Sequence, residues 1–336
     1  MNFAGLTKYE LTRCVVCGES ETAEIAGPDD IRAEAELLWQ FHMRRLSPHT
    51  PPERLVDRVA FSQPPPWRVV RCTTCGLVYR NPVEKREVLR ETYEGESPPR
   101  DTMLALHNAQ RHSSRGQARR LMRALGGRGT GLEVGSYIGA FLAASRELHW
   151  NFEGLDVNPH TNAFVRSLGY TVHDGDLESF RPRPDHVYDS VAIWNTFDQL
   201  PDPRAAIRAA WRLMRPGGVL AIRVPNGECY ARWRPRLSSG PGPVARTLAL
   251  HILAHNNLLT FPYRFGFSPE SLATLIREMG LHVWGIVADV LVPTRDQWTR
   301  RWARAEARAV KPLTRRWMPW FELYATRGAS PNASRS

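Results

Sequence analysis

The stretch from Thr130 to Gly139, TGLEVGSYIG, constrains this chain more than any other. A short apolar run through Leu132 and Val134 ends in glycines at 135 and 139, and AFLAASREL follows at helical spacing, which predicts a strand, a tight turn and a helix. Glycine is needed where the backbone turns with positive φ and where a ligand passes too close for a Cβ. The amides that open the helix then face that ligand. The pattern is Glu-x-Gly-x-x-x-Gly. A glycine pair by itself describes only a tight turn, so the neighbouring segments decide.

Those segments continue the alternation. A second strand, Phe152 to Asp156, ends on an acid 17 positions beyond Gly139, where a carboxylate can take both hydroxyls of a ribose. The plainer reading of Asp156 is a helix cap before Asn158 and Pro159. A third strand, Thr171 to His173, runs into Asp174, Gly175 and Asp176, and a fourth, Ser190 to Trp194, is a buried apolar run. Asp202 to Met214 is amphipathic, Arg-Pro-Gly-Gly makes a turn, and Val219 to Val224 supplies a fifth strand. Alternating strands and helices predict an α/β fold with a mostly parallel sheet.

The segments LEVGSYIG, Asp156 after Gly-Leu, GDLESF, YDSVAIWNTFDQLPDP and LMRPGGVLAIRVP, in this order and spacing, resemble the class I S-adenosylmethionine-dependent methyltransferases. Within that class the resemblance is to the large bacterial group of small-molecule methyltransferases, and it covers residues 130 to 285. It implies a doubly wound, mostly parallel seven-stranded sheet of the Rossmann-like methyltransferase type over residues 127–294, with an insertion at 226–265. It also implies that Glu133, Gly135, Tyr137 and Gly139 surround the methionine part of S-adenosylmethionine and that Asp156 holds its ribose. Asp176 and Leu177 would flank the adenine, and Trp194 and Asn195 would face the methyl group and its acceptor. Two positions depart from the group. Tyr137 stands where a middle glycine is usual, which also argues against a dinucleotide fingerprint, and Asp198 and Gln199 stand where a Glu-His pair is common. The second departure removes a candidate base, and no catalytic residue is identified.

Near the N-terminus, Cys14-Val-Val-Cys17-Gly and Cys72-Thr-Thr-Cys75-Gly are two C-x-x-C knuckles, each closed by glycine. Two such knuckles can place four thiolates tetrahedrally on Zn²⁺, and a closed four-sulfur site has no position for water, so the zinc is expected to be structural. Disulfides are the alternative, disfavoured in a reducing compartment. This predicts a small zinc-ribbon-like module over 1–79, with an insertion at 27–67 holding a helix from Asp30 to Leu46. The arrangement resembles the zinc-binding module fused ahead of methyltransferase domains in bacterial sugar and natural-product pathways, on Cys-Gly-Leu-Val-Tyr, Asn81-Pro82 and Tyr93. Residues 80–126 read as a helical lead-in, in which Tyr93 is either a packing residue or a roof to the cofactor pocket.

With 336 residues, 42% of them hydrophobic, the chain can bury one full core and a smaller module. No apolar run approaches the length of a membrane span and no signal pattern opens the chain, so a cytoplasmic location is expected. The net charge of +11 would suit a polyanion, yet lysine occurs only at 8, 85 and 311. Such an arginine skew is what a GC-rich genome produces by codon usage, and it weakens the nucleic-acid reading.

In the C-terminal third, residues 226–243 are rich in Arg, Pro, Gly and Ser and read as a loop. Val244 to Leu259 reads as an apolar helix carrying His251 and His255, and Ser268 with Pro269 opens a further helix that stops at Gly280. Phe261, Tyr263, Arg264 and Phe265 suggest an aromatic and cationic wall for the acceptor. Residues 295–336 read as a basic amphipathic tail in which Trp298, Trp302, Trp317 and Trp320 stand among ten cations and three acids. Such a tail can make a peripheral contact with an anionic membrane or polyanion, or pack as a solvated helix on the domain, which is the preferred reading.

Nucleobase methyltransferases usually carry an Asn/Asp-Pro-Pro-aromatic tetrad after strand four, where this chain reads NTFD. The expected acceptor is therefore a small molecule, a sugar or secondary metabolite, with RNA as the alternative substrate. Tyr137 and Gln199 keep open a second alternative, a catalytically degenerate S-adenosylmethionine-binding module.

Overall fold

The computed structural model describes residues 7–50, 66–127, 129–182, 187–238, 242–256, 258–259, 263–290 and 297–328. Its strands, in chain order, are β1 (Tyr9–Glu10), β2 (Thr22–Ala26), β3 (Arg68–Cys72), β4 (Val78–Asn81), β5 (Val83–Glu84), β6 (Thr130–Val134), β7 (Asn151–Asp156), β8 (Val172–Asp174), β9 (Tyr188–Trp194), β10 (Met214–Pro225), β11 (Phe265–Gly266), β12 (Leu281–Asp289) and β13 (Trp320–Arg327). The chain divides into two compact units. One comprises Met1–Val88, Val224–Leu272 and Val287–Phe321, the other Leu89–Arg223, Ala273–Ile286 and Glu322–Ser336.

A seven-stranded sheet in the order β12-β13-β10-β9-β6-β7-β8 carries the alternating half of the sequence. Its pairs β6 with β7, β6 with β9, β7 with β8 and β10 with β9 are parallel. Strand β9 is buried at six of its seven positions, as a strand covered on both faces must be, which is why it reads as an unbroken apolar run. The Arg-Pro-Gly-Gly segment is drawn into β10 as an irregularity: the register shifts between Met214 and Val219, and Gly217 takes φ +76°.

The sequence reading ends the sheet before residue 295, whereas the chain returns to it. Strand β13, WFELYATR, lies between β12 and β10 and is buried at seven of its eight positions. Glu322 hid it. This acid is fully buried and is held by Arg120 of the helix Arg100–Leu125, with Nε to Oε2 at 2.7 Å, and by the hydroxyl of Tyr324 at 2.6 Å. A buried charge survives when paired and hydrogen-bonded, but in sequence it marks a solvent face. Of the four tryptophans assigned to the tail, Trp320 is wholly buried, Trp298 is buried, Trp317 packs edge-on against Trp233, and Trp302 is exposed.

The other unit is built on an antiparallel sheet, β11-β4-β3-β2, with β1 paired to β5 beside it. Helix Pro28–Met43 matches the expected insertion helix, opening at Gly27 and packing Ile31, Leu38 and Phe41 onto Val69 and Val78. Residues 226–243 are not simply a loop. Helices Gly227–Trp233 and Pro235–Ser238 form there, because the Asn226 side chain caps Glu228 N at 3.0 Å and Cys229 N at 3.3 Å while Cys229, Tyr230 and Trp233 bury one face. Nor do Tyr263, Arg264 and Phe265 form an acceptor wall. They are 1%, 3% and 1% exposed, because β11 completes the small sheet against β4; Phe261 lies outside the described residues. The expected helix 244–259 is observed as Pro243–Ala254, and Ser268 caps the helix Pro269–Glu278 through Ser271 N at 3.0 Å.

Candidate functional site

The turn after β6 is built by steric necessity. Gly135 has φ +73°, and a Cβ there would stand 2.2 Å from Oγ1 of Thr196, in the loop that follows β9. Gly139 has φ +69° and opens the helix Ala140–Arg146. Between them Tyr137 also adopts a left-handed φ, of 45°, a conformation that costs a residue with a Cβ about 1–2 kcal/mol. Its backbone amide donates to Oδ2 of Asp156 at 2.8 Å, and Asn158 N donates to Oδ1 at 3.0 Å. The turn at the end of β6 and the acid at the end of β7 are thus one hydrogen-bonded unit.

The helix cap falls to Asn158 rather than Asp156. Its side-chain oxygen accepts from His160 N at 2.9 Å and Thr161 N at 3.0 Å, while its amide donates to the carbonyls of Tyr93 at 2.6 Å and Glu96 at 2.8 Å. Sequence reasoning missed Asn158 in this double role, although Asn before Pro is a cap signal. It also missed His107, buried in the helix Arg100–Leu125, whose Nδ1 lies 2.8 Å from the carbonyl oxygen of Ile138 and so steadies the turn. A histidine inside a helix gives no such signal.

Two carboxyl groups share this end of the sheet. Glu133 is buried, and burial first, then the negative charge of Asp156, holds its carboxyl well above the ordinary range. Its Oε2 has no hydrogen-bond partner among the described residues. Burial raises Asp156 as well, against the amides of Asn158, Tyr137 and Val157, which favour the carboxylate.

At the end of β9, Trp194 is 6% exposed, its ring 5.3 Å from that of Phe141, and its Nε1 has no partner among the described residues. Asn195 has φ +57°; its amide donates to Arg223 O at 3.0 Å, and the Arg223 guanidinium donates to its Oδ1. A guanidinium only donates, so the carboxamide must turn its oxygen to Arg223 and its NH₂ away. The Asn195 carbonyl accepts from Gln199 Nε2 at 2.6 Å, and Gln199 Oε1 accepts from the Tyr93 hydroxyl at 2.7 Å. Beyond β8, Asp176 is exposed and its Oδ1 accepts from Ser179 N at 2.8 Å, while Leu177 is buried. Glu133, the glycine turn, Asp156, Asp176, Leu177, Trp194 and Asn195 therefore line up along the neighbouring strands β9, β6, β7 and β8 and the turns that follow them. This is where parallel sheets bind nucleotides.

In the other unit the four knuckle cysteines come together. Cys14 Sγ lies 3.3 Å from Cys75 Sγ and Cys17 Sγ 3.4 Å from Cys72 Sγ, and all four sulfurs lie within 4.8 Å of one another. None is in a disulfide. The closing glycines make each knuckle, Gly18 with φ +80° and Gly76 with φ +75°, their amides donating to Cys14 O at 2.8 Å and Cys72 O at 3.1 Å. Sulfurs on a tetrahedral zinc stand about 3.8 Å apart, from Zn–S bonds of about 2.3 Å, so this donor set and spacing fit such an ion.

The profile of a protein family described as methyltransferase domain matches residues 107–285, just over half of the chain. No curated protein matches it. Among solved structures, a SAM-dependent methyltransferase from Thermotoga maritima is 17% identical, with a TM-score of 0.44, over 68% of this chain and 93% of that one. One from Archaeoglobus fulgidus is 15% identical, with a TM-score of 0.42, over 72% of this chain and 100% of that one. An O-methyltransferase family protein from Burkholderia thailandensis is 16% identical, with a TM-score of 0.42, over 68% of this chain and 60% of that one. With the family profile lying across the glycine turn, the acid after β7 and the loop after β9, this chain belongs to the methyltransferase-domain family and is an S-adenosylmethionine-dependent methyltransferase.

Proposed function

We propose that the acceptor is a small molecule, a sugar or secondary metabolite, rather than a nucleic-acid base. The observation that supports this is the NTFD loop after β9. Its fourth position, where the tetrad of a base-methylating enzyme carries the aromatic ring that stacks on a flipped nucleobase, is the buried acid Asp198, and the neighbouring ring of Phe197 is fully buried. A ring inside the core cannot stack on a base.

In this reading the turn of Glu133, Gly135, Tyr137 and Gly139 receives the methionine part of the cofactor, and Asp156 takes both ribose hydroxyls with the acceptor capacity left by its backbone amide partners. Asp176 and Leu177 border the adenine. Trp194 and the outward NH₂ of Asn195 face the methyl group and the acceptor. When bound, the cofactor supplies an activated sulfonium methyl, so the protein's task is to hold a nucleophile in line with it and keep water out. Cys14, Cys17, Cys72 and Cys75 would hold one structural zinc that ties the two knuckles together.

Incubation of the purified protein with methyl-labelled cofactor and metabolite extracts tests the assignment. The expected result is label in a small molecule identified by mass spectrometry. Label in purified transfer or ribosomal RNA would reject it in favour of an RNA substrate, and cofactor binding with no turnover on either would favour a degenerate binding module.

A further inference from the structure

Helix Arg301–Arg315 buries one face, through Ala303, Ala307 and Thr314. Its other face is divided lengthwise. Arg301, Arg308 and Arg315 recur every seven residues and are all exposed, so they stack in one row along the helix. Beside them Trp302, Ala305, Ala309 and Leu313, at i, i+3, i+7 and i+11, form a second, apolar row, in which Trp302 is 50% and Leu313 57% exposed. Arg316, at the C-cap, is exposed as well.

The helix carries one acid, Glu306, which stands one turn after Trp302 at the edge of the apolar row, where its charge is neutralised. Glu306 is gripped by Arg45, with Nε at 3.0 Å and Nη2 at 2.9 Å, and has His251 Nε2 at 3.7 Å. The Arg45 guanidinium lies 3.5 Å from the centre of the Phe41 ring and 5.5 Å from that of Trp302. Arg315 donates from Nε to Ala288 O at 2.8 Å and remains exposed.

We infer that this face docks on an anionic lipid bilayer. Arginine rows reach headgroup phosphates while their stems, with Trp302 and Leu313, enter the boundary of the acyl chains, the geometry of an interfacial helix. The net charge of +11 adds long-range attraction to such a surface. Charge also decides against the other occupants. A duplex nucleic acid would satisfy the arginines but gives no return on an exposed tryptophan and leucine. A second copy packed symmetrically on this face would bring like-charged rows together.

The test is co-sedimentation of the full chain with vesicles of phosphatidylcholine, with and without phosphatidylglycerol. Binding is expected only with the anionic lipid. Arg301→Gln and Arg308→Gln should each weaken it about five-fold. Leu313→Ser should weaken it at least as much, and being at a half-exposed position should leave the melting temperature unchanged. Quenching of tryptophan fluorescence by bromine-labelled lipid should fall in Trp302→Phe. A protein that stays in solution with anionic vesicles overturns the inference. So does binding that follows the arginines but ignores Leu313→Ser and equals binding to duplex RNA, which would mark the face as a polyanion site.

Discussion

The backbone amide of Tyr137 donates to the carboxylate of Asp156 at 2.8 Å, so the residue that departs from the usual glycine contributes through its main chain. The side chain at 137 is therefore dispensable for this contact, and the carboxylate at 156 is not. With Asp156 holding the ribose as proposed, Asp156→Ala leaves the ribose hydroxyls and the backbone amides of Tyr137 and Asn158 without their acceptor. It should weaken S-adenosylmethionine binding by about 2–3 kcal/mol in calorimetry. Tyr137→Gly should keep the affinity, since it relieves a left-handed residue and retains the amide. Unchanged affinity in Asp156→Ala, or a loss in Tyr137→Gly as large as that of the alanine variant, would remove the site assignment.

What could be read in advance followed from local rules. The glycine turn, the acid after β7 and the paired knuckles are short patterns whose geometry is set within a few residues, and the structure finds each where its spacing placed it. Misreadings arose where a distant partner decides. Glu322 is buried because Arg120, about 200 residues away, answers it. Residues 227–233 read as loop because arginine, proline and glycine dominate their neighbourhood, while the three side chains that bury the helix, Cys229, Tyr230 and Trp233, find their core in segments far off in sequence. Phe265 looked like a ligand wall for the same reason: its strand partner, Tyr79, is remote.

The cysteine cluster predicts a dependence on metal. Metal analysis should find one zinc per chain, and Cys72→Ser should lose both the metal and the fold's thermal stability. Loss of a structural metal is among the few changes that cost more than about 4 kcal/mol. A chelated, metal-free protein melting at the same temperature as the loaded one would dispose of the zinc assignment.

The Arg120–Glu322 pair predicts a sign reversal. Arg120→Met strands a carboxylate that is completely buried, which should cost about 3 kcal/mol, whereas Arg120→Met combined with Glu322→Met removes both charges and should regain most of that loss, short of the Tyr324 hydroxyl's bond. Denaturant unfolding of the two variants reads the difference directly. If the double variant is as unstable as the single, the pair is not what fastens β13.

Glu34 gives the last prediction, a pH dependence. It lies buried on the helix Pro28–Met43, where it accepts from the Tyr230 hydroxyl at 3.1 Å and faces Arg234 Nε at 3.3 Å, while Asp30 competes for the same guanidinium at 3.0 Å. Burial dominates, opposed by Arg234 and Tyr230 and assisted by the charge of Asp30, and it pushes the carboxyl up to about 7. The folded-state value therefore lies above the unfolded one, so the folded chain holds this proton more tightly. The associated stability is fully present below the unfolded value, about 4.5, and is lost as pH rises through about 7. Over that window the loss should amount to about 2–3 kcal/mol. Glu34→Gln keeps the shape and an acceptor for Tyr230 but cannot titrate. Melting curves from pH 4.5 to 8 should show the wild type losing stability relative to the glutamine variant, with the divergence steepest between the two values and levelling off above about pH 7. Parallel curves would mean that Arg234 keeps Glu34 ionised throughout.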